Sequence, residues 1–287
     1  MVEQSVIELY DAYNHQEMTR RQFMDKLTHL AGGVAAAYAL LPILENNYAF
    51  AEKIPADDKR LQAEYITFPV KSGSMKGYEA MPVNAGKIPA VLVIHENKGL
   101  NPHIEDIARR LAVEGFLALA PDALTAQGGS PADPEVAAGM IKELNMDDTI
   151  QNFVAAAAYL KTHPHSTGKV GVVGFCWGGA MANQMAVHSP DIIAAVPYYG
   201  KQPDSSDVAK IKAELLLHYA GLDERINAGI PDYTKALDAN GIIYTLYMYE
   251  GANHAFNNDT NAARYNKEAA ELAWKRTIDF FSAKLKG

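Results

Sequence analysis

The sequence has a single cysteine, no excess of basic residues and no long uninterrupted apolar run. Cys176 is the only cysteine among 287 residues, which excludes an intrachain disulfide and a cysteine-based zinc cluster. Lysine and arginine number 26 against 34 acidic residues, and the net charge of −8 argues against a nucleic-acid groove, which needs a basic face. No internal repeat is present, and 48% hydrophobic with 21% charged residues is typical of a globular protein.

The first 60 residues differ from the rest of the chain and allow two interpretations. Arg20 and Arg21 precede a moderately apolar stretch, 27–44, and small residues follow at 49–51, a pattern that resembles a twin-arginine export signal cleaved near residue 51. Alternatively, apolar residues at helical spacing before the arginines predict a helical arm that packs on the body or on a second subunit as a homodimer. Both interpretations stay open, and with them a periplasmic or cytoplasmic location. Glycines and a proline make the apolar stretch a poor membrane anchor, so no integral membrane span is expected.

Residues 61–287 are predicted to form one catalytic domain, in which apolar strands alternate with amphipathic helices. Such alternation predicts an α/β fold with a mostly parallel twisted sheet and helices on both faces. Segments 64–70 and 75–83 predict an antiparallel hairpin at the edge of the sheet. A last helix is predicted from Ala262 to about Leu285.

The stretch 174–179, Gly-Phe-Cys-Trp-Gly-Gly, follows a predicted strand and precedes a predicted helix. This context is required of a nucleophile elbow, G-x-S-x-G, here with Cys176 in the serine position. The turn is too tight for side chains at the flanking glycines, the helix N-terminus favours a thiolate, and the N–H of Trp177 would point toward an oxyanion. The alternative is that Cys176 is a small buried hydrophobe.

A cysteine nucleophile needs a base and an acid that orients it. Asp223 and His254 each follow a predicted strand and occur in the chain order of α/β-hydrolases, acid before histidine. Glu224 competes with Asp223 but would leave the turn in another direction. His218 lies within a strand and is expected to be structural.

A third segment, 95–100, ends an early strand at the position where this fold supplies a second oxyanion N–H. There, Glu96 beside a cysteine would raise the thiol pKa or take its proton. The alternative is that Glu96 is a solvated loop residue that caps the following helix. Trp177 and Tyr199 lie near strand ends and could line an apolar acyl pocket, together with Phe256 and Lys98.

Taken together, these segments resemble the dienelactone hydrolase family of α/β-hydrolases. The resemblance lies within residues 60–287, in the segments 95–96, 119–122, 174–179, 198–200, 221–223 and 251–256. It implies an α/β-hydrolase fold and a Cys176–His254–Asp223 triad. It also implies that Glu96 contacts the resting cysteine and that Trp177 and Asn97 provide the oxyanion N–H groups. No cofactor and no metal are expected.

The family's carboxylate-binding arginines have no counterpart in this sequence. Neither 121–128 nor 254–258 contains arginine, so the sequence does not identify the dienelactone as the substrate. Lys98, Lys201 or Arg264 could substitute.

The predicted activity is cysteine-dependent hydrolysis of a small ester or lactone through a thioester acyl-enzyme. The alternatives are a promiscuous carboxylesterase or phosphotriesterase that uses the same triad, a non-catalytic binding protein, and a redox-sensitive thiol.

Overall fold

The computed structural model describes residues 2–50, 52–71 and 73–287, with the backbone alone at residue 50. Ala51 of the candidate cleavage site and Ser72 of the predicted hairpin turn lie outside the described residues. A sheet of eight strands forms the body of the molecule. The strands are β1 (Leu61–Val70), β2 (Gly73–Pro82), β3 (Ile88–Ile94), β4 (Leu117–Pro121), β5 (Ser166–Phe175), β6 (Ile192–Tyr198), β7 (Glu214–Ala220) and β8 (Tyr244–Tyr249).

The strand order is β1-β2-β4-β3-β5-β6-β7-β8. β1 and β2 form an antiparallel hairpin, β2 pairs antiparallel with β4, and the other neighbours pair in parallel. The predicted mostly parallel sheet with an antiparallel hairpin at its edge is confirmed. Parallel pairing brings the carboxyl ends of β3, β5, β7 and β8 to one edge, where ligand sites of such sheets form.

Helices cover both faces of the sheet, as predicted. The helices that follow the hairpin are α4 (Pro102–Val113), α5 (Pro134–Lys142), α6 (Met146–Thr162), α7 (Trp177–His188), α8 (Glu224–Asn227), α9 (Ile230–Ala239) and α10 (Lys267–Phe281). One apolar layer packs α6, α7 and α9 on the sheet, and the other packs α4 and α10 on the opposite face.

The last helix begins later than predicted. The alanine-rich pattern suggests a start at Ala262, but α10 begins at Lys267, where the Asn266 side chain accepts a hydrogen bond from the Ala269 N–H at 3.1 Å. The residues before it form turns, in which the Asn261 side chain accepts from the N–H of Arg264 at 3.1 Å. Asparagine side chains that bond to nearby backbone compete with helix formation, and here they set the boundary.

Three further helices precede the sheet: α1 (Gln4–Asn14), α2 (Arg20–Ala31) and α3 (Val34–Leu44). Thr19 and Gln22 form a capping box that starts α2 at the arginine pair. Gly32 and Gly33 then break the apolar stretch, and the chain bends by 110° between α2 and α3. No single helix in the described part of the chain is both long and apolar enough to cross a membrane. Of the described helices, only α2 and α3 taken together reach that length and hydrophobicity.

The N-terminal helices share a small apolar cluster and contact the catalytic body of their own chain. Their cluster includes Tyr10 and Phe23. Asn261 donates to the Leu44 carbonyl at 2.5 Å, and Gln4 donates to the Asn253 side chain at 2.7 Å. Asn253 is the neighbour of His254, so α1 reaches the edge of the sheet where the predicted triad lies.

Candidate active site

Cys176 occupies a strained turn between β5 and α7. Its backbone has φ 56° and ψ −114°, a conformation that costs roughly 1–3 kcal/mol for a non-glycine residue. A Cβ atom on Gly174 would lie 1.9 Å from the Gly178 carbonyl oxygen, and one on Gly178 would lie 2.2 Å from the Ile94 carbonyl oxygen. Both flanking positions therefore require glycine, and the turn has the geometry of a nucleophile elbow.

Asp223 and His254 form a buried pair at the ends of β7 and β8. Asp223 Oδ2 accepts a hydrogen bond from His254 Nδ1 at 2.5 Å, while Oδ1 accepts from the Ile226 N–H at 3.2 Å. This bond places the proton of neutral His254 on Nδ1 and leaves Nε2 as a lone pair. Nε2 is buried and has no hydrogen-bond partner among the described residues. Glu224 is exposed as the first residue of α8, so Asp223 is the acid that the fold places against the histidine.

The charges of this pair and the thiol depend on one another. Burial lowers the pKa of His254, but Asp223 and the Cys176 thiolate raise it more, so that it lies well above its ordinary value. Burial acts to raise the pKa of Cys176, but His254 and His15 lower it by more. The pKa therefore lies at about 6, below the ordinary value of a thiol. At neutral pH the site therefore favours a thiolate beside an imidazolium.

His15, from the segment that follows α1, is the hydrogen-bond partner of the sulfur. Its Nε2 lies 3.6 Å from Cys176 Sγ, and its ring packs edge-on against His254 with centroids 4.8 Å apart. On its other side, Nδ1 lies 2.8 Å from the Asp11 carbonyl oxygen and 3.4 Å from the Asp11 carboxylate. Burial lowers the pKa of His15, but the bonds to Asp11 and to the thiolate raise it to about 9.

Two arginines hold the Asp11–His15 pair. The buried Arg264 donates to Asp11 Oδ1 at 3.0 Å. Arg225 Nη2 lies 2.8 Å from His15 Nε2 and 4.0 Å from Asp11 Oδ2. A guanidinium donates to Nε2 only when that nitrogen carries no proton. Nε2 therefore has two competing states, one protonated and paired with the thiolate, the other accepting a hydrogen bond from Arg225.

The segment 95–97 contributes differently from what the resemblance implies. Glu96 is buried, and its Oε2 accepts a hydrogen bond from Asn258 at 2.7 Å. Within the described ranges no hydrogen bond joins it to Cys176. The alternative interpretation of Glu96 as a solvated cap is wrong, because Asn101 caps α4. The Asn97 side chain donates to the Asn14 carbonyl at 2.8 Å and thereby holds the N-terminal segment at the site.

Cys176 and His254 open into a cavity of about 390 Å³. The cavity is also lined by Asn14, His15, Gln16, Asn97, Ala138, Ile141, Lys142, Leu144, Met146, Trp177, Ala180, Tyr199, Lys201, Arg225 and Ile226. Of the predicted pocket residues, Trp177 and Tyr199 line it. Phe256 is buried behind Tyr199, with ring centroids 5.4 Å apart. Lys98 lines a separate cavity, where its ammonium lies 5.9 Å from the ring of Tyr10.

His218 lies within β7 and bonds inside the body. Its Nε2 lies 3.1 Å from the Thr277 hydroxyl and its Nδ1 2.9 Å from the Tyr249 hydroxyl. Burial lowers its pKa to about 3, so it is neutral and structural in this position.

Sequence reasoning missed Asp11, His15 and Arg225. The helical spacing of apolar residues in α1 indicates a packed arm, but nothing in that pattern distinguishes His15 from the other eight histidines. Arg225 follows Asp223 by two residues, and its proximity to this predicted acid is the one signal that could have identified it.

Comparison with known proteins agrees with this architecture. A model of the dienelactone hydrolase family matches residues 75–285. A protein of Methylorubrum extorquens, described as a putative carboxymethylenebutenolidase, is 31% identical over 275 residues, covering 90% of this chain and 92% of that protein. A match over 90% of this chain is longer than residues 61–287, so the similarity extends into the N-terminal segment.

Solved structures give the same result. A protein from Klebsiella pneumoniae, described as a putative dienelactone hydrolase, is 30% identical with a TM-score of 0.71 over 77% of this chain and 98% of that one. A dienelactone hydrolase-like promiscuous phosphotriesterase from metagenomic libraries, P91, has a TM-score of 0.72 over 79% of this chain and 99% of that one; at 22% identity it supports the fold alone. With the family match over most of its length, the chain belongs to the dienelactone hydrolase family of α/β-hydrolases.

Proposed function

We propose that this hydrolase cleaves small carboxylic esters or lactones with Cys176 as the nucleophile and a thioester as the intermediate. The observation that supports it most is the placement of Cys176 on a strained elbow, against an imidazole whose tautomer Asp223 fixes through a 2.5 Å hydrogen bond. A structural cysteine would need neither the strained backbone nor the oriented histidine.

The first half-reaction forms the acyl-enzyme. The Cys176 thiolate attacks the carbonyl carbon, and the N–H groups of Trp177 and Asn97 stabilise the resulting oxyanion. His254, protonated in the ion pair, donates its proton from Nε2 to the leaving oxygen. In a lactone this oxygen stays attached to the acyl group.

The second half-reaction returns the free thiolate. Acylation removes the negative charge of Cys176, one of the two main causes that raise the pKa of His254. Neutral His254 can then accept a proton from water, which attacks the thioester carbon and releases the acid and the thiolate. Asp223 keeps Nδ1 protonated and stabilises the imidazolium in both steps.

We assign the primary proton transfer to His254 rather than to Glu96. The Glu96 carboxylate accepts a hydrogen bond from Asn258 at 2.7 Å, and the hydrogen-bond partner of the sulfur is His15. His15 supports the thiolate before substrate arrives. Glu96 then has an electrostatic and positioning role next to Asn97, whose N–H is proposed to contact the oxyanion.

The cavity favours a small substrate with an apolar acyl part. Ile141, Leu144, Met146 and Trp177 provide apolar walls, and a volume of about 390 Å³ suits a small molecule. Of the cations considered for a substrate carboxylate, Arg264 is paired with Asp11 and Lys98 lines another cavity. Lys201 and Arg225 line the cavity of Cys176 and are the residues we propose for this role.

A phosphotriesterase activity on the same triad is the second candidate, because the P91 structure shares the fold. A thiolate and an oxyanion site can act on phosphorus as on carbon. Matched p-nitrophenyl carboxylic and phosphoric esters separate the two. Faster turnover of the carboxylic ester supports the first proposal, and faster turnover of the phosphoric ester supports the second.

We further propose that residues 1–60 stay with the catalytic domain as part of the active site. Removal of residues 1–51 would delete Asp11 and His15 and expose Asn97 and Arg264, whose side chains bind this segment. The intact mass of protein purified from its native cell distinguishes the full chain from a processed one. The export signal and the dimer through this arm remain predictions.

A further inference from the structure

We propose that His15, Cys176 and His254 form a binding site for a thiophilic divalent cation, Zn²⁺ in the first place, and that the bound ion blocks the nucleophile. The sulfur and one ring nitrogen of each histidine all lie within 4.8 Å of one another. One thiolate and two imidazoles are a donor set that suits zinc, with a fourth position open to water.

The separations are close to those of a zinc site. Zinc–sulfur bonds of about 2.3 Å and zinc–nitrogen bonds of about 2.0–2.1 Å at a tetrahedral angle place sulfur and nitrogen about 3.6 Å apart. The distance from Cys176 Sγ to His15 Nε2 is 3.6 Å. The three donor atoms lie within 4.8 Å of one another, and two nitrogens of a tetrahedral zinc site lie about 3.3 Å apart, so His254 has to approach by at most about 1.5 Å.

Both histidines carry the supporting contacts that metal-binding histidines usually have. His254 Nδ1 bonds to Asp223, and His15 Nδ1 lies 2.8 Å from the Asp11 carbonyl oxygen. A carboxylate or carbonyl on Nδ1 fixes the proton there and directs the Nε2 lone pair to the metal. His254 Nε2 is buried without a hydrogen-bond partner in the described part of the chain, and His254 lines the same cavity as Cys176.

Arg225 is the group that competes with the ion. Its guanidinium lies 2.8 Å from His15 Nε2 but is 38% exposed, so it can turn into solvent. Zinc therefore takes the place of the Arg225 hydrogen bond on His15 Nε2. Where Nε2 is protonated instead, zinc takes the place of that proton, which leaves to solvent. Removal of this guanidinium should strengthen metal binding, a direction that a purely structural role for Arg225 does not predict.

A cysteine–histidine pair alone offers two ligands, and the N-terminal segment adds the third. The affinity for the metal would then depend on His15, which lies outside the matched family region of 75–285. Metal binding requires only the three donor atoms, so it does not depend on Cys176 being the nucleophile. Ester turnover and metal binding can fail independently.

The experiment uses the full chain with Co²⁺ as a spectroscopic probe and Zn²⁺ in competition with a chromophoric chelator. We expect one ion per chain and a thiolate-to-cobalt charge-transfer band, which Cys176→Ser abolishes. His15→Ala should weaken zinc binding about a hundredfold or more, the loss of one ligand from a site of this kind. His29→Ala, at an exposed histidine of α2, should leave the affinity unchanged, and Arg225→Ala should raise it.

Circular dichroism and a second variant, His15→Gln, control for misfolding of the alanine variant. The proposal is overturned if the wild type binds no ion at millimolar Zn²⁺, if bound Co²⁺ gives no thiolate band, or if His15→Gln folds and binds as tightly as wild type. Zinc should also inhibit ester turnover, with full recovery on chelation. If Cys176→Ser keeps turnover while the cobalt band of the wild type is present, the proposed nucleophile is wrong and the metal site stands.

Discussion

His15 Nε2 lies 3.6 Å from Cys176 Sγ, although 161 residues separate the two along the chain. The contact places a thiol between two histidine–aspartate pairs, His254–Asp223 from the sheet edge and His15–Asp11 from the N-terminal arm. Each imidazole lowers the pKa of the thiol, so the thiolate form of Cys176 depends on both parts of the chain.

Asp223→Asn should lower kcat/KM for a small ester about a hundredfold or more. The amide can donate to Nδ1 and so favour the wrong tautomer of His254, and it cannot stabilise the imidazolium. The matched control is Glu224→Gln at the adjacent exposed position, which should keep wild-type kinetics. Equal losses in the two variants would contradict the assignment of the acid.

His15→Ala should shift the acidic limb of the pH profile of kcat/KM. In the wild type, thiolate and activity should be lost as the pH falls through about 6, the pKa of Cys176. Loss of His15 removes one of the groups that lower this pKa, so the limb moves to higher pH. The pH dependence of iodoacetamide alkylation measures the same pKa without substrate. An unchanged limb, with His29→Ala as the reference, would show that His15 does not stabilise the thiolate.

His254→Ala and Glu96→Gln together test which group transfers the proton. In single-turnover experiments we expect His254→Ala to slow both acylation and deacylation, each by about a hundredfold or more. Glu96→Gln keeps a side chain that can bond to Asn258 and should cost roughly tenfold or less. Full-rate acylation in His254→Ala, with slow acylation in Glu96→Gln, would give the base role to Glu96.

Asp11→Asn should destabilise the protein by roughly 3 kcal/mol, because it leaves the buried guanidinium of Arg264 without its carboxylate. Burial raises the pKa of Asp11, but His254, His15 and Arg264 lower it further, to well below its ordinary value of 3.8. A lowered folded-state pKa stabilises the fold above that ordinary value, and the stabilisation is lost as the pH falls below it. Denaturant unfolding at pH 7 should show the full difference, and the gap should narrow below about pH 4. A constant gap across this range would contradict the ionised pair.

Local backbone geometry explains why the sequence predicts the elbow and the strand ends that form the site. The elbow at Cys176 needs glycine at Gly174 and Gly178 for steric reasons, and apolar runs identify the strands that end at Asp223 and His254. These constraints act within a few residues, so a pattern can reveal them. The predicted mostly parallel sheet with an antiparallel hairpin at its edge is confirmed as well.

The remainder depends on contacts between distant segments. Asn97 and Arg264 hold the C-terminal end of α1 next to Cys176, and no periodicity encodes those contacts. The late start of α10 has a local cause that the apolar pattern does not record, since the Asn261 and Asn266 side chains bond to backbone that a helix would otherwise use.

The measurement that tests the central claim most directly is intact-protein mass spectrometry after mixing with a p-nitrophenyl ester, with release of nitrophenol followed in parallel. Wild type should show a burst, an acyl adduct on the peptide that contains Cys176, and then steady turnover. Cys176→Ala should remain folded and show neither adduct nor burst, with turnover lower by about three orders of magnitude. Unchanged turnover in Cys176→Ala, or an adduct on another residue, would contradict the thiol mechanism.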